Sequence, residues 1–299
     1  MIRICGKEIR ITGSLIRVAA LDADTYDYFQ DPQLAIHELR ESKARVDLFT
    51  FMQRPPETKP KFQFFTVQDN LAVLSVSTFD HWWTKQVDTK TRNMVRKPEK
   101  KGVAIREVPF DDALVQGIWE VYNESPVRQG KPFAHFGKDV ATVHREAGTF
   151  LEQSIFIGAF FEDRLIGFVK LLCDETRTQA GLLHIVSMMS HRDKAPTNGL
   201  LAHAVRACAD RGIPYLVYSR FSEGNKERDS LMDFKENNGF KRVDLPRYFV
   251  PLTPWGKVAL HLGLHKRWTD HVPEAVVSRL RQLRNARHNR KLQSMSEAV

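Results

Sequence analysis

The sequence is short of three features: clustered cysteines, long apolar runs and a secretory leader. Its three cysteines, Cys5, Cys173 and Cys208, are far apart and form no CxxC or Cys/His cluster. Neither a disulfide framework nor a metal site is therefore expected. No apolar run approaches the roughly 18 residues that span a bilayer, and the first residues lack the regions of a signal peptide. These absences predict a cytoplasmic protein.

What the sequence does have is a core-forming composition and an unevenly distributed charge. Hydrophobic residues make up 42% of the 299 residues, enough for one large domain or two smaller ones. The net charge of +9 comes from two segments, since the rest of the chain is slightly acidic: residues 85–101 carry seven Lys or Arg against two acids, and residues 254–299 carry nine against three. Both basic segments suit phosphate or an anionic lipid surface, although solvated helix faces have the same composition.

Turn signals and hydrophobic periodicity predict a mixed α+β lobe in the first hundred residues. The predicted elements are, in order, β-structure over 7–21, a helix over 24–41, and strands over 45–52, 61–67 and 71–77. The last two strands are separated by the turn signal Asp69-Asn70. A helix rich in Lys and Arg follows over 79–101 and ends at Gly102, a residue typical of helix C-termini.

From Val103 onward, strands and helices alternate in a more diagnostic order. The predicted elements are a strand over 103–108, a helix from Asp111 or Asp112 to Tyr122, a helix over 138–153, a hairpin over 154–172, a strand over 179–189, a helix over 198–210, a strand over 215–219, a helix over 230–237 and a strand over 248–252. The basic segment that follows has an apolar stripe at helical spacing, Val276, Val277, Leu280 and Leu283. Three units are expected: 1–101, 102–253 and 254–299.

This element order resembles the GNAT acyltransferase fold, and three local motifs resemble its Fem-type (FemABX) branch. The run KTRNMVRKPEKKGV at 90–103 resembles the basic helix that joins the two lobes of Fem-type peptidyltransferases. The run KAPTNGLL at 194–201 resembles their Ala-Pro-(Asn/Thr)-x-x-Leu helix start. The run LMDFKENNGF at 231–240 resembles their Phe-Lys-x-x-x-Gly-Phe motif. The resemblance covers residues 80–250.

The resemblance implies an α+β, GNAT-like C-terminal lobe preceded by a partial or degenerate GNAT-like N-terminal lobe, because the first 78 residues are too short or too divergent for a full one. It also implies an activity: Fem-type enzymes transfer amino acids from aminoacyl-tRNA to the peptide of a cell-wall precursor. Acyl transfer to an amine needs positioning and charge stabilisation rather than a covalent enzyme intermediate. The lack of a Ser-His-Asp or Cys-His motif therefore does not oppose this activity.

Three residues are expected to carry the chemistry. Lys235 matches the motif lysine that the family is thought to use for charge stabilisation as the new bond forms. Tyr218 ends the strand at which this fold splays, where a tyrosine can act as general acid. Glu124 follows the first helix of the lobe and is a candidate for steering or deprotonating the amine. Without the resemblance, Lys235 would be expected on a solvated surface, Glu124 at a helix end and Tyr218 in packing.

The remaining site predictions concern substrate binding. The candidate donor-binding residues are Ser187, Arg192, Lys194, Thr197, Asn198 and Ser219. The candidate acceptor-binding residues are Tyr122, Arg128, His135 and Phe234. The loop 191–199 departs from the glycine-rich Arg/Gln-x-x-Gly-x-Gly/Ala pattern of acetyl-CoA users, because it has one glycine and Pro196 offers no N–H. Coenzyme A is therefore less favoured than another donor.

The predicted function is N-acyl transfer of the Fem type, with acyl-CoA or aminoacyl-tRNA as co-substrate and no tightly bound cofactor. The expected partners are an amine-bearing acceptor such as a cell-wall or polysaccharide precursor, tRNA, and the inner face of a membrane contacted through the basic tail. Two alternatives stay open: an acetyl- or acyl-CoA-dependent GNAT enzyme acting on a small amine, and a non-catalytic GNAT-like protein that binds RNA or membrane.

Overall fold

An eleven-stranded mixed sheet forms the centre of the molecule, beside a separate two-stranded ribbon. The computed structural model describes residues 1–128, 131–222 and 228–264. The strands are β1 (Ile2–Ile4), β2 (Lys7–Thr12), β3 (Val18–Leu21), β4 (Leu48–Met52), β5 (Phe65–Ser75), β6 (Ala104–Val108), β7 (Val127–Arg128), β8 (Lys131–Pro132), β9 (Ser154–Phe161), β10 (Arg164–Cys173), β11 (Gln179–Ser187), β12 (Tyr215–Val217) and β13 (Lys241–Pro251). Strands β7 and β8 form the ribbon.

Most of the helices begin where the sequence supplies a capping side chain. They are α1 (Pro32–Glu41), α2 (Phe79–His81), α3 (Thr89–Lys100), α4 (Asp112–Asn123), α5 (Val140–Ala147), α6 (Pro196–Asp210), α7 (Ser230–Asn237) and α8 (Pro254–His261). Five of them, α1, α3, α4, α5 and α7, are preceded by an aspartate whose side chain accepts a first-turn N–H. Such caps satisfy backbone donors that the helix itself leaves unpaired. A π-helical turn, Trp82–Gln86, follows α2.

The order of elements predicted after Val103 is confirmed. The chain passes through β6, α4 and α5, then the β9–β10 hairpin, β11, α6, β12, α7 and β13; the β7–β8 ribbon, which the sequence did not predict, lies between α4 and α5. Across the sheet the strands lie in the order β1-β2-β3-β4-β13-β5-β12-β11-β10-β9-β6. Strand β5, from the first part of the chain, is therefore inserted between β12 and β13 of the second part. The division into 1–101 and 102–253 stays a prediction, and strands of both segments alternate in this one sheet.

Two predictions for the first lobe were wrong. The turn expected at Asp69-Asn70 lies inside the single strand β5, where Asp69 is opposite Leu245. Its carboxylate accepts hydrogen bonds from Arg220 and Arg247, so charge pairing and the ladder override the local turn preference. The helix expected over 24–41 comprises only α1, because Asp31 caps it seven residues later.

Helices cover both faces of the β9–β11 region. Phe168 of β10 contacts Tyr122 of α4, and Lys170 donates hydrogen bonds to the carbonyls of Ala147 and Thr149 at the end of α5. Ser187 of β11 lies opposite Gly167, so it points to the face opposite to that of Phe168 and Lys170, and it contacts Thr197 at the start of α6. Because alternate strand residues point to opposite faces, α4 and α5 form one layer and α6 the other.

The tail prediction can be followed only to Leu264. Helix α8 starts at the predicted boundary and is capped by Thr253. The predicted apolar stripe from Val276 to Leu283 and the arginines around it lie outside the described residues. Within the described ranges, no helix combines the length and hydropathy needed to cross a membrane.

Candidate active site

A cleft opens where β11 and β12 separate. The two strands run parallel and pair from Gln179 opposite Tyr215 to Gly181 opposite Val217. Beyond that point β11 continues to Ser187, whereas the residues after β12 stay paired with β5. Tyr218 donates its N–H to the carbonyl of Ala72, and Ala72 donates its N–H to the carbonyl of Ser219. The sheet therefore divides into two arms, as the element order predicts.

The exposure of β11 shows that this cleft is open to solvent. Residues 179–182 are buried, but residues 183–187 are each partly exposed although the strand lies well inside the sheet. In the described part of the chain, His184 to Ser187 have a strand partner on the β10 side, Leu183 lies at a bulge in that pairing, and none of the five has a partner on the β12 side. The second half of β11 thus offers a backbone edge to a bound molecule.

One wall of the cleft carries Tyr218 and Lys235. Lys235 is only 2% exposed, and its Nζ donates a hydrogen bond of 2.6 Å to the carbonyl of Arg220. The same nitrogen lies 4.8 Å from the centre of the Tyr218 ring. Burial raises the pKa of Tyr218 to about 12, so its hydroxyl keeps its proton at neutral pH. Helix α7 directs Lys235 inward, towards the strand end.

The apex of the cleft is closed by a residue that the sequence did not single out. Tyr26, from the segment before α1, packs on Gly181, where an added Cβ would lie 2.1 Å from its Cδ1. Its side chain hydrogen-bonds to Ser219. Ser219 adopts φ +51, a left-handed conformation that costs a non-glycine residue about 1–2 kcal/mol. In the sequence, only Gly181, a glycine inside an apolar strand, could have indicated a close neighbour at this place.

Glu124 lies at the far end of β11. One carboxylate oxygen accepts the N–H of Met189 at 2.7 Å, and the other accepts the N–H of Ser190 at 2.7 Å. Burial opposes ionisation, but these N–H groups outweigh it and hold the pKa of Glu124 below its ordinary value. Both oxygens are therefore engaged in fixing the turn after β11.

Arg128 is placed beside Glu124 and ties the same region to α4. Its guanidinium donates to the carbonyls of Ser187, at 2.5 Å, and Val121, at 2.7 Å. It also lies 4.3 Å from the centre of the Phe133 ring. Glu124 and Arg128 approach within 3.6 Å. The Arg128 side chain therefore joins the end of β11 to α4 and fixes their relative position.

An aromatic row on the α4 and α5 face contains two further predicted residues. The ring of Tyr122, which is 3% exposed, stacks on His135 with 4.4 Å between centres. His135 meets His184 of β11 edge-on at 5.5 Å. Burial and then His135 lower the pKa of His184 to about 4, and burial and Lys138 lower that of His135. Both imidazoles are therefore neutral at physiological pH.

The predicted donor residues cluster only in part. Ser187 and Thr197 meet through their hydroxyl oxygens at 2.8 Å. Lys194 lies 4.5 Å from the centre of the Phe161 ring, whereas Arg192 is exposed. Asn198 lies in the first turn of α6 and bonds the carbonyl of Ala195 through its N–H. The predicted acceptor residue Phe234 is partly buried against the core of the second lobe.

Two groups of predicted residues thus come together at the two ends of the cleft. Lys235, Tyr218 and Ser219 lie on the β12 side, and Glu124, Arg128, Ser187 and Thr197 lie around the end of β11. Among the described residues, no group of three His, Cys, Asp or Glu side chains is arranged to hold a metal ion.

Solved structures with a similar fold are found at low sequence identity. The C-terminal domain of a candidate lysylphosphatidylglycerol synthetase from Agrobacterium fabrum matches with a TM-score of 0.54 and 14% identity, covering 85% of this chain and 83% of that one. FemX matches with a TM-score of 0.53 and 8% identity over 80% and 83% of the two chains. L-PGS from Bacillus licheniformis matches with a TM-score of 0.52 and 12% identity over 80% of each.

These likenesses concern the fold. They confirm the predicted GNAT-type fold and its similarity to Fem-type proteins. No protein-family model matches the sequence, and no curated protein matches it.

Proposed function

We propose that this chain transfers an acyl or aminoacyl group to an amine, and that the cleft between β11 and β12 holds the reacting carbonyl. The observation that supports this most is the separation of the two strands after Gly181 and Val217, with Tyr218 and the buried Lys235 at the point of separation. A GNAT-type fold hosts several chemistries, so the assignment depends on these side chains rather than on the fold.

The proposed chemistry balances without a covalent enzyme intermediate. The amine nitrogen attacks the donor carbonyl, a C–N bond forms, and the C–O or C–S bond to the leaving group breaks. The amine loses one proton and the leaving group gains one. Tyr218, whose pKa is raised to about 12, can donate to the leaving group, and neutral His184 of β11 can accept from the amine. Lys235 supplies positive charge beside the carbonyl oxygen as it becomes anionic.

Glu124 and Arg128 are proposed to position rather than to react. Both Glu124 oxygens already accept backbone N–H groups, and the Arg128 guanidinium spans Ser187 and Val121. They would hold the end of β11 and the turn after it in the geometry that the donor needs. Tyr122, His135 and Phe234 are proposed to contact the acceptor.

The donor is proposed to be aminoacyl-tRNA rather than acyl-CoA. A coenzyme A pyrophosphate needs several free N–H groups at the start of the helix after β11. Here the N–H groups of Met189 and Ser190 bind Glu124, that of Asn198 bonds Ala195, and Pro196 has none. Ser187, Arg192, Lys194, Thr197, Asn198 and Ser219 are proposed to contact the donor, and no tightly bound cofactor is proposed.

The acceptor is proposed to be an amine on an envelope or cell-surface precursor, met at the cytoplasmic face of a membrane. Leu15, Trp255, Val258 and Leu262 are between 42% and 73% exposed. The indole of Trp255 donates to the carbonyl of Leu15, and Val258 and Leu262 follow Trp255 at helical spacing in α8 and at its end. Exposed apolar residues followed by the basic segment 265–299 suit an anionic lipid surface.

A donor screen with matched variants tests the proposal. Purified protein is heated with aminoacyl-tRNA, deacylated tRNA or acyl-CoA, and transfer to a panel of amines is followed with a labelled acyl group. We expect stabilisation and transfer with aminoacyl-tRNA. Lys235→Met should lose transfer, whereas the exposed control Lys241→Met should keep it. Stabilisation and transfer by acyl-CoA alone would refute the donor assignment. Full activity in Lys235→Met would refute the role of this site.

A further inference from the structure

A stack of four planar groups lines a cavity on the side of α6 that faces the basic helix α3. The ring of Phe79 lies nearly parallel to that of Trp83, at 16° and 6.0 Å between centres. The Arg206 guanidinium lies 3.8 Å from the centre of the Phe79 ring, and that of Arg96 lies 5.1 Å from the centre of Trp83. The order is therefore Arg206, Phe79, Trp83 and Arg96, which we call the Arg–aromatic stack.

The hydrogen-bond donors of this stack are unused within the described residues. Arg96 and Arg206 are exposed, and neither donates to any acceptor in residues 1–128, 131–222 or 228–264. The indole N–H of Trp83 also has no acceptor there. By contrast, Trp82, Trp119 and Trp255 each donate to a backbone carbonyl. A guanidinium offers five N–H donors, so the stack presents many donors held in fixed planes.

The cavity beside the stack has a volume of about 490 Å³, in the range of small-ligand sites. Apart from the stack, it is lined by His203, Glu99, Ile105 and Gly199, among others. Gly199 belongs to the first turn of α6, where Thr197 and Asn198 also lie. The cavity therefore extends from the basic helix to the end of α6 at which the donor is proposed to bind.

We propose that the Arg–aromatic stack and its cavity bind single-stranded RNA, namely the 3′ end of a tRNA. Single-stranded RNA is bound by stacking bases on aromatic rings or guanidinium planes and by placing cations beside phosphates, and this stack ends in two guanidinium planes that its rings hold in place. The neighbouring α3 adds Lys90, Arg92, Lys97 and Lys100 against one acid, Glu99. This deepens the proposed function, because the site would seat the RNA part of the donor.

The test is a titration of fluorescently labelled deacylated tRNA with the full chain, read as anisotropy at two salt concentrations. Trp83→Ala removes the ring that holds the Arg96 plane, so we expect it to weaken binding by about 5- to 100-fold, the range for losing one base stack. Replacing both arginines with glutamine (R96Q and R206Q) should also weaken binding and lower the slope of log affinity against log salt by about 1–2. The control pair R3Q and R10Q removes equal charge at the exposed β1–β2 edge and should change the slope less.

Two further variants keep the outcome decisive. Replacing both arginines with lysine (R96K and R206K) retains charge but removes the planar groups, so affinity should fall while the salt slope stays. Lys235→Met should bind tRNA as the wild type does, which separates failure of this site from failure of the transferase proposal. The inference is overturned if the wild type does not bind tRNA. It is also overturned if the folded stack variants bind tRNA as tightly as the control pair.

Discussion

The ammonium of Lys235 lies 4.8 Å from the centre of the Tyr218 ring, although 17 residues and the end of a strand separate them in the chain. Lys235 is buried, and its bond to the carbonyl of Arg220 fixes the ammonium at the wall of the cleft. A positive charge held in a place of low dielectric acts more strongly on a developing anion than one in water. This relationship leads to the first two predictions.

Replacing Lys235 with methionine should reduce kcat for transfer by about 100- to 1,000-fold, as loss of a charge-stabilising donor does elsewhere. The shape of the side chain is largely kept, so the fold should survive. Steady-state kinetics and thermal unfolding of the same samples check both statements. A variant that unfolds early but retains its kcat would show that Lys235 stabilises the fold only.

Tyr218→Phe should lower kcat by about 100-fold if the hydroxyl protonates the leaving group. The loss should depend on the donor: it should be large for a ribose ester, and small for an activated aryl ester whose leaving group needs no proton. Comparing the two donors in wild type and variant measures this difference. Equal losses with both donors would assign the hydroxyl to packing.

Glu124→Ala should loosen the turn after β11, because it leaves the N–H groups of Met189 and Ser190 without their acceptor. We expect a loss of about 1–3 kcal/mol in the free energy of unfolding and a raised KM for the donor. Glu124→Gln keeps one accepting oxygen, so its unfolding free energy and its KM should lie between those of the wild type and of Glu124→Ala. If both variants keep their KM but lose kcat on the neutral plateau, together with the acid limb of the pH profile, Glu124 is the base instead.

His184 should make stability fall on acidification. Its pKa is about 4 in the folded protein and near 6.5 when unfolded, so between these values the unfolded chain binds a proton that the folded chain does not. Stability is therefore fully present above about pH 6.5 and is lost towards pH 4, by about 3 kcal/mol in total. Urea unfolding at pH 7 and pH 5 should show that the unfolding free energy differs less between the two pH values in His184→Gln than in the wild type. An unchanged difference would place the titration elsewhere.

The double variant W255A and L262A should weaken binding to vesicles that contain anionic lipid, because both side chains are exposed and the basic segment follows them in the sequence. Binding should require anionic lipid and should decrease with salt. Flotation with neutral and anionic vesicles measures it, with Leu231→Ala as an exposed apolar control. Equal vesicle binding by all variants would show that Trp255 and Leu262 do not contact the lipid.

Local chemistry in the sequence was sufficient for most of the second lobe. Asp111 and Asp229 cap α4 and α7, and the Glu162-Asp163 pair forms the tight turn of the β9–β10 hairpin with positive φ angles. These features depend on neighbours within a few residues, so they are readable without a structure. The Asp69-Asn70 prediction failed because its partners, Arg220 and Arg247, come from much later in the chain.

The sequence by itself determined the order of helices and strands after Val103 and the motif that contains Lys235, because both depend on short-range patterns. Tertiary structure alone decided where Lys235 points, which strand lies between β12 and β13, and what the carboxylate of Glu124 binds. It also brought Phe79 and Trp83 against Arg206 of α6. Those relationships join residues far apart in the chain, and their geometry follows from packing around one sheet rather than from local preference.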